Sequence, residues 1–334
     1  MKSPNVTVSM AVYNGAAFLN AAIESILNQT FKDLELLIVN DGSTDATKSI
    51  IKSYDDPRIR LVDNDRNRGI AYSRNRGWKE ASGEFVAVLD CDDIAMPERI
   101  ELQYAHLVKN PGLAMTGGHA EVINTNGQQT GDYYIMPTER GEVSIELLFR
   151  NVFVNSTVMF RKEALKVVGG YRNIGICDDY ELAFRLNEIH PVDNIDQVLV
   201  QYRLHGHNIS SEKEALMREG EEHMVRYMHQ ILKIPYDDRL QKTHLSFIRT
   251  IPGYKVELSD YFNLLKVLQM GNDKTNIFQK EEMRRIFMTK WYEMIRQSRS
   301  RSALSLFFKK PLFVSTYATP KMYRKIFKQT LGIV

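Results

Sequence analysis

The chain has 334 residues, of which 43% are apolar and 25% charged, with two cysteines and a formal net charge of +3. These values are ordinary for a globular protein, and so few cysteines exclude a disulfide scaffold and indicate a reducing, cytoplasmic compartment. Because the chain has no run of about 20 apolar residues and its first residues lack the apolar core of a signal peptide, neither a membrane span nor a leader is predicted.

The first hundred residues predict strands that alternate with helices. Short apolar runs predict strands at 6–12, 34–39, 59–62 and 85–89, and helical spacing predicts helices at 17–28, up to about 54, and at 70–81. This alternation is typical of a parallel, doubly wound α/β sheet with right-handed crossovers. The run at 85–89 is unbroken and apolar, which predicts a strand buried on both faces.

After residue 109 the alternation ends. The turn signal Asn126-Gly127 predicts a hairpin between strands at 115–124 and 129–135, so the sheet is expected to be mostly rather than wholly parallel. The later elements follow in this order: a helix near 143–149, a strand at 156–160, a helix that begins near 178 and a strand at 198–204.

The last third of the chain is predicted to be helical. From residue 211 onward the spacing is helical, with breaks predicted at Pro235, Pro252 and Gly271. The composition changes again near residue 284, where basic residues become dominant. We therefore expect three parts: an α/β domain at 1–210, a helical extension at 211–283 and a basic amphipathic tail at 284–334.

Three carboxylates, Asp90, Asp92 and Asp93, follow the predicted strand 85–89. Open α/β sheets bind ligands at the carboxyl ends of their strands. Carboxylates this close raise each other's pKa unless a cation lies among them, so one interpretation is a site for Mg²⁺ or Mn²⁺. The other is a solvated acidic turn before the helix that begins near Pro97.

Five further residues are candidates for binding or catalysis. Asp41 ends the second strand, where its carboxylate can accept the N3–H of uracil or thymine. Arg74 lies near the start of the third predicted helix, an arrangement that suits phosphate oxygens. Asp178 and Asp179 begin a later helix, where acids act as caps or as a general base. His205 follows the last strand, where it can complete a metal shell or contact a diphosphate.

These motifs occur in a definite order along the chain: VSMAVYN at 8–14, NDGSTD at 40–45, SRN at 73–75 after Gly69, LDCDD at 89–93 with Pro97 and Arg99, GGY at 169–171, DDYELAFR at 178–185 and YRLH at 202–205. In that order they resemble the inverting glycosyltransferases of family 2. The resemblance covers about residues 5–210, and nothing after 210 contributes to it. One departure is Asp178, where the family more often has glutamate, although the charge is kept.

The resemblance implies a GT-A fold, which is a Rossmann-like, mostly parallel doubly wound sheet, here with a helical C-terminal extension. It implies transfer of a sugar from a nucleotide-diphosphate sugar, with a UDP-sugar favoured, to a hydroxyl of a glycan or glycolipid, as in surface polysaccharide biosynthesis. Asp179 is then the catalytic base, and Asp90, Asp92 and His205 hold Mn²⁺ or Mg²⁺. The expected donor-binding residues are Val12, Tyr13, Asn14, Asp41, Arg74, Asp90, Cys91 and Asp92.

Other functions fit parts of the sequence. A haloacid-dehalogenase-like phosphatase also uses Asp-x-Asp after a strand, but that motif normally follows the first strand of the domain, whereas three strand–helix units precede Asp90. A nucleotidyltransferase shares the sheet type, but the first strand here runs into Tyr13-Asn14-Gly15 rather than a glycine-rich phosphate loop. A non-catalytic glycan-binding protein is a further alternative. The presence of all four acids, Asp41, Asp90, Asp92 and Asp179, counts against it.

The tail at 284–334 holds 12 Lys/Arg and one acid, so it carries +11 while the rest of the chain carries −8. Large apolar residues predicted to be exposed lie among these cations: Leu304, Leu306, Phe307, Phe308, Leu312, Phe313, Tyr323, Ile326 and Phe327. Such a segment suits an anionic membrane surface, here the inner face of the plasma membrane. The alternative is a helical extension that packs on the acidic domain or on a second copy in a homodimer. Nucleic acid is not expected as a partner, because the tail lacks a recognisable nucleic-acid-binding fold.

Overall fold

The computed structural model describes residues 3–206 and 214–333, which fall into two compact units. The first unit comprises Met1–Val143 with Asn151–Gly220, and the second comprises Ser144–Arg150 with Glu221–Val334. The predicted division at 210 and 283 stays a prediction, because 210 lies outside the described residues and 283 falls inside one continuous helix. Within the described ranges, no helix is both long and apolar enough to cross a membrane.

A nine-stranded sheet forms the centre of the first unit. Its strands are β1 (Val6–Val12), β2 (Leu34–Asn40), β3 (Ile59–Asp63), β4 (Phe85–Val88), β5 (Ile94–Ala95), β6 (Met115–Ile123), β7 (Gln129–Tyr134), β8 (Met159–Arg161) and β9 (Val192–Arg203). The helices up to β9 are α1 (Leu19–Leu27), α2 (Thr47–Lys52), α3 (Ile70–Glu80), α4 (Arg99–Lys109), α5 (Arg140–Glu146), which crosses into the second unit, α6 (Lys162–Val168) and α7 (Asp178–Ile189).

The strands lie in the order β3-β2-β1-β4-β8-β6-β9-β5, with β7 paired to β6. The first four strands in this order are parallel neighbours, which confirms the predicted α/β arrangement. Beyond β4 the sheet is mixed, since β8 runs antiparallel to β4 and β6 while β9 is parallel to β6. Antiparallel neighbours need no crossover helix, which explains why the strand–helix alternation ends in this part of the sequence.

The carboxyl ends of β1, β2 and β4 lie at one edge of the sheet because these strands are parallel. Val12 at the end of β1 pairs with Asn40 at the end of β2. All four residues of β4 are buried, as the unbroken apolar run predicts. Asp41 follows β2 and Asp90 follows β4, so both acids come to the edge where ligands bind in open α/β sheets.

The later elements of the first unit differ in part from the predictions. The hairpin at Gly127 is confirmed, with β6 antiparallel to β7 and Gly127 at φ 79°. The helix predicted near 143–149 instead spans Arg140–Glu146, and the last strand begins at Val192 rather than near 198. The two-residue strand β5 has no counterpart in the predictions, because two residues are too short to show a period.

The second unit is helical. Its helices are α8 (Glu214–Ile231), whose first residues belong to the first unit, α9 (Asp238–Ile248), α10 (Leu258–Thr275), α11 (Lys280–Ser298), α12 (Ala303–Phe307) and α13 (Pro320–Thr330). The breaks predicted at Pro235 and Pro252 are confirmed, because both prolines lie between helices. The break predicted at Gly271 is wrong. Gly271 lies inside α10, and a Cβ there would come 2.7 Å from the carbonyl oxygen of Leu232, so this glycine permits close packing.

The basic tail folds within the second unit. Three of its apolar residues predicted to be exposed are instead buried: Phe307, Leu312 and Ile326. This part of the prediction is wrong, because the tail packs on α11. The Trp291 indole N–H of α11 donates to the carbonyl oxygen of Leu306 at 2.9 Å, and the Phe307 ring lies 6.2 Å from the ring of Tyr292. Phe308 and Phe327 are exposed, as predicted.

Two buried histidines form a hydrogen-bonded chain in the second unit. His244 Nε2 lies 2.6 Å from the carbonyl oxygen of Leu148 and must donate, because a carbonyl oxygen only accepts. His244 Nδ1 then accepts from His229 Nε2 at 2.9 Å, and His229 Nδ1 is a buried atom with no partner among the described residues. Burial lowers the pKa of His244 to about 3 and that of His229 to about 4, so both are neutral at pH 7.

We expect the second unit to lose stability as the pH falls from 6.5 towards 4. The folded-state pKa values of His229 and His244 are depressed, so in this range the unfolded chain takes up protons that the folded chain does not. Each histidine then contributes a loss of up to about 1.4 kcal/mol per pH unit. Denaturant unfolding at pH 7 and pH 5 measures the loss. His244→Gln keeps a donor for Leu148 and should show a weaker pH dependence, and an unchanged dependence would contradict this assignment.

Candidate active site

The carboxylate of Asp41 is held by the residues that follow β3. Its Oδ1 accepts from Asn64 Nδ2 at 2.6 Å and from the backbone N–H of Arg68 at 2.9 Å. Its Oδ2 accepts from the backbone N–H of Gly69 at 2.9 Å. Both lone pairs of Oδ1 are used by these two donors, whereas Oδ2 has a further lone pair for another donor. Asp41 therefore keeps the capacity to accept a base N–H, and its contact with a base stays a prediction.

The turn after β1 is joined to the loop that follows Asp41. Asn14 has φ 51°, its backbone N–H donates to Ser43 Oγ at 2.9 Å, and its Oδ1 accepts from the backbone N–H of Thr44 at 2.9 Å. Tyr13 is 48% exposed, whereas Val12 is buried. A donor placed here would therefore meet the ring of Tyr13 and the backbone, rather than the side chain, of Val12.

Cys91 lies against this same turn. A Cβ at Gly15 would come 2.9 Å from Cys91 Sγ, so a glycine is what allows the approach. Burial and the neighbouring carboxylates, Asp92 first among them, raise the pKa of the Cys91 thiol well above its usual range. Cys91 is therefore a neutral thiol that fills a tight contact, and its predicted contact with the donor stays a prediction.

Arg74 of α3 links two of the predicted site acids. Its Nη1 lies 2.9 Å from Asp178 Oδ1, and its Nη2 lies 3.4 Å from Asp90 Oδ1. Burial alone would lower the pKa of Arg74, but Asp178 and Asp90 outweigh it and raise that pKa. The guanidinium is thus committed to carboxylates, although its buried Nε has no partner among the described residues. Its predicted contact with a phosphate stays a prediction.

Two residues that precede β8 hold the loop after β4. Asn155 Nδ2 donates to both carboxylate oxygens of Asp90, at 3.0 and 2.9 Å. Ser156 Oγ accepts from the backbone N–H of Asp90 at 3.1 Å and donates to Asp93. Burial first, and then repulsion from Asp92, raises the pKa of Asp93 well above its usual range. Asp93 is 1% exposed, so its side chain stabilises the loop rather than contacts a ligand.

Asp92 and His205 form the part of the site that fits a divalent cation. His205 Nε2 lies 2.9 Å from Asp92 Oδ2. Burial first, and then repulsion from Asp90, raises the pKa of Asp92, and a nearby cation would offset both effects. Among the residues that the structure describes, no group of three or more His, Cys, Asp or Glu side chains could hold a metal ion. Oxygens of a substrate diphosphate would complete such a shell, as is common for Mg²⁺.

Asp178 and Asp179 begin α7 and differ in their surroundings. Asp178 is 1% exposed and is paired with Arg74, whereas Asp179 is half-buried and its Oδ2 accepts from Asn151 Nδ2 at 3.1 Å. Burial is the largest cause that raises the pKa of both carboxyls, that of Asp178 to about 6. Asp179 is thus the more accessible acid of the two, and its assignment as the base stays a prediction.

Three polar residues of the site, Asn151, Asn155 and Ser156, have no counterpart among the predicted site residues. Their signal in the sequence is the stretch NVFVNST at 151–157, where polar side chains interrupt an apolar run directly before β8. Because β8 is antiparallel to β4, the residues that precede β8 lie beside the carboxyl end of β4. Predicting their place requires the direction of β8, which the sequence pattern does not contain.

Known proteins similar to this chain are glycosyltransferases. A family model described as "Glycosyl transferase family 2" matches residues 7–169. An uncharacterized glycosyltransferase of Haemophilus influenzae is 31% identical over 245 residues, which cover 68% of this chain and 76% of that protein. The O-antigen biosynthesis glycosyltransferase WbnJ of Escherichia coli is 31% identical over 217 residues, covering 63% of this chain and 83% of that protein.

Solved structures support the same fold. TarS 1-349 of S. aureus, in complex with UDP-GlcNAc, matches with a TM-score of 0.58 at 18% identity and covers 81% of both chains. The mannosyltransferase PcManGT of Pyrobaculum calidifontis, in complex with GDP-Man and Mn²⁺, has a TM-score of 0.52 at 15% identity, covering 99% of this chain and 87% of that chain. At such identities the likeness shows the fold, and it confirms the predicted GT-A class with a helical C-terminal region.

Proposed function

The chain belongs to glycosyl transferase family 2, and on that premise we propose that it moves a hexose from a nucleotide-diphosphate sugar to a hydroxyl of a glycan or glycolipid, with inversion. One observation carries the proposal: the acids Asp41, Asp90, Asp92 and Asp179 belong to the same unit, with Asp41 and Asp90 at the carboxyl edge of its sheet and Arg74 linking Asp90 to the start of α7. This is the edge at which open α/β sheets bind nucleotides.

In the proposed reaction Asp179 takes the proton of the acceptor hydroxyl while that oxygen attacks the anomeric carbon. Asn151 orients the Asp179 carboxylate through its hydrogen bond at 3.1 Å. The ion pair of Asp178 with Arg74 fixes the start of α7 against α3. A single displacement from the face opposite the leaving group inverts the anomeric configuration, and no covalent sugar on the enzyme is needed.

The leaving diphosphate is proposed to bind near Asp92 and His205. Asp92 and His205 would hold Mn²⁺ or Mg²⁺ together with oxygens of the diphosphate, and the ion would neutralise charge on the departing group. Asp90 is proposed as a further ligand, although in this structure the three side chains do not form a group that could hold a metal ion. Asp41 would accept a base N–H, with uracil favoured. Support comes from the neighbours, since TarS is described with UDP-GlcNAc and PcManGT with GDP-Man and Mn²⁺.

The acceptor is proposed to be a surface glycan or its lipid-linked precursor. Its support is the printed name of WbnJ, an O-antigen biosynthesis enzyme. The basic second unit is proposed to hold the enzyme at the inner face of the plasma membrane. The identity of the donor can be tested with a panel of UDP-, GDP- and TDP-sugars. Hydrolysis and binding of each sugar nucleotide are measured with and without Mn²⁺. Anomeric configuration of the product, read by NMR, tests inversion, and a retained configuration or no donor at all would count against the proposal.

We expect Asp92→Asn to lose most divalent-ion-dependent activity, by a factor of about 10² or more, while the fold is kept. The amide cannot provide the charge of a carboxylate to a cation, yet it keeps the volume. Titration of Mn²⁺ against donor hydrolysis, with circular dichroism of the same samples, measures both effects. Asp132→Asn, on exposed β7, is the matched control. Full activity of Asp92→Asn in the presence of a chelator would exclude the metal role.

A further inference from the structure

A cleft lined by arginines lies at the end of α11 in the second unit. Its volume is about 630 Å³, and its lining residues are Arg296, Gln297, Arg299, Arg301, Gln329 and Gly332. This volume falls within the range of about 300–1,000 Å³ that is usual for ligand sites in proteins. None of the acids assigned to sugar transfer belongs to it.

The cations of this cleft have no acidic partners in the described part of the chain. Three cations earlier in α11 are paired: Arg284 with Glu281, Arg285 with Glu282 and Lys290 with Glu146. By contrast, no carboxylate lies within 4.0 Å of Arg296, Arg299 or Arg301 among residues 3–206 and 214–333. Three guanidinium groups that share one cleft repel each other, and an anion between them would offset that repulsion.

One of the residues that line the cleft is a buried, hydrogen-bonded glutamine. Gln329 of α13 is 5% exposed, and its Nε2 donates to the carbonyl oxygens of Ile295 at 2.8 Å and Ser300 at 3.2 Å. These bonds tie the end of α11 to α13. Arg299 has φ 52°, a conformation that glycine or asparagine adopts more readily. The helix dipole favours a cation such as Arg296 in the last turn, but Arg301 lies beyond the helix end, so the dipole does not account for the whole set.

Exposed apolar side chains lie on and just after α13, close in the chain to the cleft residues Gln329 and Gly332. Phe327, Leu331 and Ile333 are 55%, 57% and 60% exposed, and Gly332 between the last two lines the cleft itself. Further cations lie among them on α13: Lys321, Arg324, Lys325 and Lys328. Arginine forks bind phosphate oxygens, while exposed aromatic and aliphatic side chains enter the apolar boundary of a bilayer. A water-soluble anion would bind the arginines but would leave the exposed side chains of Phe327, Leu331 and Ile333 without a role.

We propose that this cleft binds the phosphate headgroup of an anionic lipid, as a phosphomonoester or a diphosphate, while Phe327, Leu331 and Ile333 enter the bilayer surface. The inference rests on the proposed attachment to a membrane, and it assigns that attachment to three arginines and to one class of headgroup.

The test uses the full chain and phosphatidylcholine vesicles with and without phosphatidate. The cleft variant is Arg296→Gln, Arg299→Gln and Arg301→Gln together. The charge-matched control is Lys255→Gln, Lys266→Gln and Lys274→Gln, three exposed lysines of the same unit. Truncation is avoided, because it would remove buried residues of α11 such as Trp291. Arg299→Asn alone removes one cation at a position that suits asparagine, so it should fold even where the triple variant does not.

We expect the full chain to bind phosphatidate vesicles, with inorganic pyrophosphate as a competitor. The cleft variant should bind at least about tenfold more weakly, Arg299→Asn should be intermediate, and the control should change by less than about threefold. Equal losses of vesicle binding in the two triple variants would overturn the cleft assignment while membrane attachment stands. If the triple cleft variant does not fold, unchanged vesicle binding by Arg299→Asn would overturn it in the same way. No binding of the full chain to phosphatidate vesicles would overturn the attachment as well. Arginine-dependent binding of pyrophosphate or of single-stranded RNA, without binding of vesicles, would overturn the lipid as the ligand.

Discussion

Asp179→Asn should lower the turnover number by a factor of about 10² to 10⁴ while donor affinity stays nearly unchanged. The amide has the volume of the carboxylate but cannot take a proton from the acceptor hydroxyl. In the wild type, burial raises the pKa of Asp179, so the rate should fall when the pH drops below that raised pKa. This acid limb should be absent in Asp179→Asn. Steady-state kinetics at saturating donor, repeated across pH, measures both features.

Asp178→Asn is the matched control, since it makes the same chemical change one residue earlier. Asp178 is 1% exposed and bound to Arg74, so its substitution removes an ion pair rather than a proton acceptor. We expect Asp178→Asn to reduce stability and to keep the acid limb of the pH profile. If Asp178→Asn loses the limb and Asp179→Asn keeps it, the two roles are reversed.

The sequence predicts that Asp41 and Asp90 lie at one edge of the sheet because both follow strands of one parallel set, while their roles stay predictions. Asp41 and Asp90 each come directly after a strand end, and parallel strands place such residues at one edge whatever the details of packing. Asn151 and Asn155 could not be predicted in the same way. They reach Asp179 and Asp90 because β8 returns antiparallel beside β4, and strand direction leaves no period in a three-residue strand.

The second unit shows a different limit of sequence reasoning. The helical spacing correctly predicts helices there, but the neighbouring cations wrongly predict that Phe307 and Ile326 are exposed. Their helical spacing places them on the buried face, while the charges occupy the other face. Gly271 illustrates the same point, since only the packed structure shows that Leu232 lies 2.7 Å from where its Cβ would be. The local sequence predicts that a helix forms, whereas which face of that helix is buried depends on the elements that pack against it.

Arg74→Met should destabilise the first unit by about 3–5 kcal/mol near pH 8, the range found when one partner of a buried ion pair is removed. Methionine fills much of the same space but leaves Asp178, and the nearby Asp90, without the guanidinium that lies 2.9 and 3.4 Å from them. The pKa of Asp178 is already raised to about 6 by burial, despite Arg74, and loss of Arg74 should raise it further. Denaturant unfolding at several pH values measures the change.

The direction of the pH dependence distinguishes this explanation from a simple packing defect. A carboxyl whose folded-state pKa lies above its unfolded value favours folding at low pH, and this contribution is lost as the pH rises through the folded-state pKa. Arg74→Met should therefore be closest to the wild type near pH 5 and weakest near pH 8. Arg66→Met, in the loop before α3, removes an exposed cation that lies 3.8 Å from exposed Asp65, and it should cost less than about 1 kcal/mol at either pH. A pH-independent loss in Arg74→Met would mean that its contribution comes from packing rather than from charge.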